Sequence, residues 1–321
     1  MSQLELARQH FQGVKEREFR LPIHFKVTSV SFSCDGRKLA VCSSDGILRL
    51  WDNLNGAEGR QLLSVVEDPK SPVSRHFKAV FHPLVPNIVA LIEKTLIVFD
   101  IDSKVKIFEA KPSAAQLLNV AWCQDGTRLA VGTRAEEIFS YEMTLDTFKH
   151  QWTVQCPFEA NQFIFSADGC LIVAGSPGSV HFISPTGSIL ADSIRCSTAS
   201  AYSISARSDV LAVGASDATV TLFHKREAHQ LIANNCMARL DGAVKHVSFS
   251  YDGMFVAAGG DDKFIDIGLS VNGDLVHRVP LTGPLSCLSW HPNSLLLCFA
   301  ADQYDKNGRS EFVFKVFGFA P

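Results

Sequence analysis

Three features of the sequence predict an all-β fold, a propeller of seven four-stranded blades. A unit of strand, turn, strand, turn and strand recurs seven times, Asp-Gly turns fall at a fixed place within it, and the last unit is one strand short.

The unit is plainest in Val27 to Asp52, VTSVSFSCDGRKLAVCSSDGILRLWD. Related segments begin near Arg75, Leu117, Asn161, Ala201, Val244 and Leu285. With the large apolar residue before the first turn as marker, the series is Phe32, Phe81, Trp122, Phe165, Ile204, Phe249 and Trp290. Its intervals of 49, 41, 43, 39, 45 and 41 residues bracket the roughly 40 to 45 of a four-stranded blade.

Each part of the unit has a physical cause. Asp35-Gly36, Asp125-Gly126, Asp168-Gly169 and Asp252-Gly253 supply the positive backbone angles of a tight hairpin. The second strands (Leu39 to Cys42, Leu129 to Gly132, Val210 to Gly214, Val256 to Gly260) are small, as expected where blades converge. The third strands, such as Ile47 to Trp51 and Phe264 to Ile267, are bulkier and suit the widening space between sheets. Asp45, Asp217 and Asp262 stand at the second turn, where a carboxylate caps the turn.

An open ring would expose two sheet edges, which invite aggregation. The last unit ends at Phe319 with three strands, so a strand at Arg17 to Leu21 is expected to pair into the final blade. The domain reading is an N-terminal arm, 1–16, with a possible short amphipathic helix, followed by a propeller over 17–321. In the arm, Ser2 and Glu5 fit a capping box, and Leu4, Ala7, Phe11 and Val14 form one stripe. That helix either enters a partner's groove, lies on its own propeller or stays disordered.

Composition agrees with a packed domain: 46% hydrophobic, 20% charged and net charge −3. The nine cysteines form no CxxC and fall mostly in strands, which reads as reduced core thiols of the cytosol or nucleus. No secretory leader or membrane span is expected, because Arg8 interrupts the N-terminal segment and the longest apolar run is Ser294 to Ala301. A pI near 6.4 argues against coating nucleic acid by charge.

No catalytic constellation emerges, so no enzyme activity, cofactor, metal or small-molecule substrate is expected. The eleven His residues fall singly, and no His-x-Glu or Glu-x-x-His pair offers metal ligands. His82-Pro83 and His291-Pro292 recur after a first strand, which favours a structural role. Gly259-Gly260-Asp261-Asp262 leads into a strand and not a helix, unlike a phosphate loop. Asp261 and Asp262 read as turn residues before acid-base residues. Trp152 is either a contact residue or edge packing.

Function is therefore expected on the loops that a rigid ring displays. Loops entering the first strands and leaving the second strands share a face, and they carry Lys70, Arg75 and His76, then Tyr202, then Lys245 and His246. Arg75, His76, Tyr202, Lys245 and His246 are the candidate partner-binding residues, with an ordinary solvated rim as the alternative.

The pattern resembles WD40 propellers over 17–321, although Trp51-Asp52 is the only Trp-Asp dipeptide and no Gly-His occurs. That departure implies a scaffold held mainly by apolar packing, with an incomplete buried polar network. The closing segments, ARLDGAVKHVSFSYDGMFVAAGGDDKFIDIGLSVNG and LSCLSWHPNSLLLCFAADQYDKNGRSEFVFKVFGFAP, are similar to the WD40 subunit (subunit 3) of the THO complex. The strings that carry the likeness are Phe264 to Ile267, Trp290 to Pro292, the Asp302 to Arg309 insertion and the terminal Val-Phe-Gly. The resemblance implies a nuclear subunit of the TREX machinery that couples transcription to messenger RNA processing and export. Its implied partners are other protein subunits, including a helical THO scaffold, with RNA reached only indirectly. The alternative is a propeller that binds a peptide or histone tail, such as a ubiquitin-ligase substrate receptor. That reading expects a deep pocket with an aromatic or acidic cluster.

Overall fold

The computed structural model describes residues 2–19, 25–54, 60–64, 76–144, 147–227, 230–304 and 310–320, with the backbone alone at 60–64, 225–227, 230–235, 303, 304, 310, 311 and 313. One helix, α1 (Gln3–Gln12), precedes β1 (Lys15–Phe19). Blade one is β2 (Val27–Phe32), β3 (Lys38–Ser43), β4 (Ile47–Asp52) and β5 (Arg60–Ser64). Blade two is β6 (Lys78–Phe81), β7 (Ile88–Ile92), β8 (Leu96–Asp100) and β9 (Val105–Ala110). Blade three is β10 (Leu117–Trp122), β11 (Arg128–Thr133), β12 (Glu137–Met143) and β13 (Phe148–Gln155). Blade four is β14 (Glu159–Phe165), β15 (Leu171–Ser176), β16 (Ser179–Ile183) and β17 (Ile189–Arg195). Blade five is β18 (Ala201–Arg207), β19 (Val210–Ala215), β20 (Val220–Glu227) and β21 (Gln230–Met237). Blade six is β22 (Val244–Phe249), β23 (Phe255–Gly260), β24 (Phe264–Leu269) and β25 (Leu275–Pro280). Blade seven adds β26 (Leu285–Trp290), β27 (Leu297–Tyr304) and β28 (Ser310–Phe319).

These strands make seven four-stranded sheets, the blades of a seven-bladed β-propeller. The last sheet runs β1, β28, β27, β26, so the N-terminal strand completes the final blade as its outer edge. It begins two residues earlier than the expected Arg17 to Leu21; Leu21 lies outside the described residues. Register explains the shift. Phe19 sits opposite Phe314 with ring centroids 5.6 Å apart, both buried, and this apolar pair sets which residues of the arm face β28. Lys315 also reaches Glu16 at 3.0 Å.

The contacts divide into two compact units. One holds residues 28–176 and 180–193, which carry blades one to four; the other holds 1–27, 177–179 and 194–321. In the first, apolar clusters fill the spaces between consecutive sheets, for example Ala90, Val98, Trp122, Leu129 and Tyr141 between blades two and three. Small second-strand residues are explained by this packing: a Cβ on Gly132 would lie 2.6 Å from the ring of Phe163 in the next blade. The Asp-Gly turns close as expected, with φ of 73°, 73°, 77° and 72° at Gly36, Gly126, Gly169 and Gly253.

In the second unit, α1 packs against the closing blades with Ala7 and Phe11 buried. Ser2 and Glu5 form the reciprocal capping box. Phe11 is buried against Phe255, His277, Trp290 and Phe317, and Arg8 donates to the Leu275 carbonyl at 2.7 Å.

Ion pairs supply part of the polar network, joining Asp45 to Arg49 and Asp266 to Arg239 and Arg278. Among the described residues Ser140 Oγ, His181 Nε2, Ser203 Oγ and His224 Nε2 are buried without a hydrogen-bond partner, as the expectation of an incomplete network has it. Asp45 takes Arg49 at 2.5 Å, and Ser43 joins them, so an arginine on the third strand completes what no histidine supplies. Burial opposes ionisation of Asp45, yet hydrogen bonds from Arg49 and Ser43 outweigh it and hold the carboxyl below its usual range. Asp266, fully buried in the FIDI strand, takes Arg239 at 2.7 Å and Arg278 at 3.4 Å. Arg278 also stacks 4.2 Å from the ring centroid of Phe264. Asp217 accepts from Thr219 within its own turn and from Ser197 of the preceding connection, whereas Asp262 accepts from the backbone amides of Asp241 and Gly242 and so ties the connection before β22 to the second turn of blade six.

His82 is structural. Its Nδ1 accepts from the amides of Leu84 and Val85, its Nε2 lies 3.1 Å from the Gly126 carbonyl, and burial pushes its pKa down. Trp152 packs on blade four and donates to the Pro185 carbonyl at 2.9 Å; its ring fills the place where a Cβ of Gly187 (φ +86°) would stand. Edge packing is therefore its role.

Candidate interaction site

First strands of different blades share one irregularity. In β10, β14, β18, β22 and β26 the register with the next strand slips at the same point. Such a bulge leaves one residue unpaired and re-aims its side chain. The skipped residues are Leu118, Asn161, Tyr202, Lys245 and Ser286. Tyr202 and Lys245, chosen singly from the sequence, thus occupy one repeated structural position. The same register corrects a marker: Ala206, opposite Leu211, is the blade-five counterpart of Trp122, and Ile204 stands two residues early. The intervals around it become 41 and 43 residues.

Counting back three residues from each marker reaches Lys78, Asn119 and His246. In the unit of blades one to four, Lys78 and Asn119 stand in the wall of a cavity of about 440 Å³, with His76, Leu118, Arg134, Glu136, Glu159, Ala160 and Asn161. Bulges in β10 and β14 place Leu118 and Asn161 there, and the loop after β11 brings Arg134 and Glu136. Glu136 sits in the left-handed region at φ +60°, and its Oε2 accepts from the Ala160 amide at 2.8 Å. Glu159 accepts from the Ser176 hydroxyl at 2.8 Å.

Lys78 is the unusual member. Its Nζ donates to Asn119 Oδ1 at 2.7 Å, and Asn119, buried, donates in turn to the Asn161 carbonyl. Among the described residues no carboxylate pairs with it. Burial lowers its pKa to about 8. Lys78 is not among the residues that the sequence singles out; the signal available was its place in the repeat, equivalent to His246.

Of the candidates chosen from sequence, His76 lines this cavity, while Arg75 and Lys70 lie outside the described residues. Tyr202, Lys245 and His246 belong to the other unit. There Tyr202 is exposed and Lys245 pairs with Asp261 at 2.6 Å. Among the described residues, no group of three His, Cys, Asp or Glu side chains is placed to hold a metal, and no helix is long and apolar enough to cross a membrane.

Comparison with known proteins adds to this geometry. Residues 15–52 match the family described as WD domain, G-beta repeat, and residues 202–293 match the anaphase-promoting complex subunit 4 WD40 domain. THO complex subunit 3 of Arabidopsis thaliana is 27% identical over 318 residues, covering 96% of this chain and 97% of that protein. The β-propeller domain of Cps50 (Swd1) from Myceliophteria thermophila superposes with a TM-score of 0.74 at 16% identity, covering 93% of this chain and 99% of the other. That likeness concerns the fold.

Proposed function

We propose that the chain, which matches the WD40 repeat model over residues 15–52 and is similar to THO complex subunit 3, is a non-catalytic scaffold subunit of a nuclear THO-type assembly coupling transcription to messenger RNA processing and export. Similarity over nearly the whole length of both chains carries the reading, since it includes all seven blades and both ends of the closing sheet. A propeller is suited to scaffolding because buried apolar clusters and ion pairs hold its sheets, so its loops are displayed on a stiff frame. Its partners are other protein subunits, a helical scaffold among them, and RNA is reached through them.

The match of residues 202–293 to the anaphase-promoting complex subunit 4 WD40 domain supports a coarser alternative, a subunit or peptide-binding adaptor of another multiprotein complex. The cavity at Lys78 carries both signs of charge and no Phe, Tyr or Trp, unlike the aromatic or acidic cluster expected of a tail-binding receptor.

Affinity purification of the full chain from nuclear extract, with and without ribonuclease, tests the proposal. A stable set of large subunits retained after digestion is expected. Loss of every partner on digestion overturns it in favour of RNA binding.

A further inference from the structure

We propose that the cavity at blades two to four binds a linear peptide of a partner protein and receives one acidic side chain on Lys78. This deepens the scaffold reading above and rests on it, adding the chemistry of what is held.

The site presents a charge that no described carboxylate neutralises. Lys78 is half-buried, its amine is held by Asn119, and no carboxylate among the described residues neutralises it. A cation taken out of water without a counter-ion costs folding energy. Asn119 is itself locked by the Asn161 carbonyl, so the amine is held in place and a ligand carboxylate finds it pre-oriented. Depression of the Lys78 pKa by burial agrees with a missing anion.

The walls say which anion. Glu136 and Glu159 each use one carboxylate oxygen on a hydrogen bond within the blades, and both line the same cavity. Glu136 and Glu159 share the wall with Arg134 and His76, so the cavity presents both signs of charge and suits a ligand that does the same, an acidic side chain with a basic neighbour, better than a run of phosphodiesters. The complementary ligand is a peptide with Asp or Glu beside Lys or Arg, seated on Lys78 with its basic neighbour toward Glu136 and Glu159.

The test selects random 12-residue peptides on the full-length protein and counter-selects them on Lys78→Met, with thermal melting to verify that the variant folds. Peptides lost on Lys78→Met are expected to carry an acidic residue next to a basic one. Binding of a fluorescent copy should weaken at least tenfold when that acid is changed to its amide, and should weaken as pH rises above about 8. Lys78→Arg should retain part of the affinity. A paired Glu136→Gln, Glu159→Gln variant keeps the idea testable if Lys78→Met does not fold, because it should relax the need for the basic neighbour. Lys78-independent binding, selected peptides without an acid, or Lys78-dependent binding of a 20-nucleotide uridine RNA in preference to peptide would each overturn the proposal. Peptide capture without recoverable assembly subunits would refute the parent reading alone; recovered subunits without Lys78-dependent peptides would refute this one alone.

Discussion

Phe11 of α1 lies 6.1 Å from Phe317 of β28, with ring planes 13° apart, so the first helix and the last strand of the chain share one apolar cluster. His277 stacks on the same Phe317 ring at 5.3 Å. The arm is thereby part of the packing of the closing blades.

Removing that contact should be costly. Phe11→Ala is expected to destabilise by about 3 to 5 kcal/mol, the range for a buried aromatic truncated to Ala. Deleting residues 1–22, which also removes β1, should abolish soluble expression; urea unfolding and expression yield check the two. A well-folded deletion variant would refute N-terminal closure.

Asp266 should be the most sensitive charged position. Asp266→Ala leaves Arg239 and Arg278, both of which reach solvent, without their shared carboxylate, at a cost of about 1.5 to 3 kcal/mol. Denaturant midpoints of Asp266→Ala and Arg239→Met measure this, and the two losses should be non-additive because the residues act as one unit.

Lys78 should imprint on the pH profile of stability. Its folded pKa of about 8 lies below the unfolded value near 10.4, so the unfolded chain holds more protons between those limits and stability rises with pH there. Relative to Lys78→Met, the unfolding free energy of the native chain should climb by up to about 3 kcal/mol between pH 8 and 10.5 and stay level from pH 5 to 7. A flat difference across the alkaline range would show that the amine is solvated.

Asp45 acts with the opposite sign. Its folded pKa is depressed, so its contribution is present above the ordinary carboxylate range and is lost as pH falls through the lower folded value. Asp45→Asn should be less stable than the native chain at pH 7, and the gap should narrow on acidification in circular-dichroism melts.

Substituting Arg75 and Lys245 together by Glu should weaken recovery of partner subunits in pull-down. Lys245→Glu also places a carboxylate beside Asp261, so its melt must be compared with that of the native chain. Undiminished recovery would direct attention to another surface.

The sequence by itself determined the seven blades, the Asp-Gly hairpins and the borrowed strand of the last sheet. Strand alternation and turn chemistry are local, so they are written within a few residues of where they act. Tyr202 and Lys245 could be picked out as residues, but only the strand register showed that they fill one repeated bulge. Ile204 was misplaced as a marker for the same reason, since a bulge is invisible to counting. Tertiary structure alone decided that α1 packs against the closing blades, that Asp266 is clamped by an arginine 27 residues away, and that Lys78 meets Asn119 across 41 residues. A buried charge is recognised by its surroundings, and those come from neighbouring blades that no local pattern specifies.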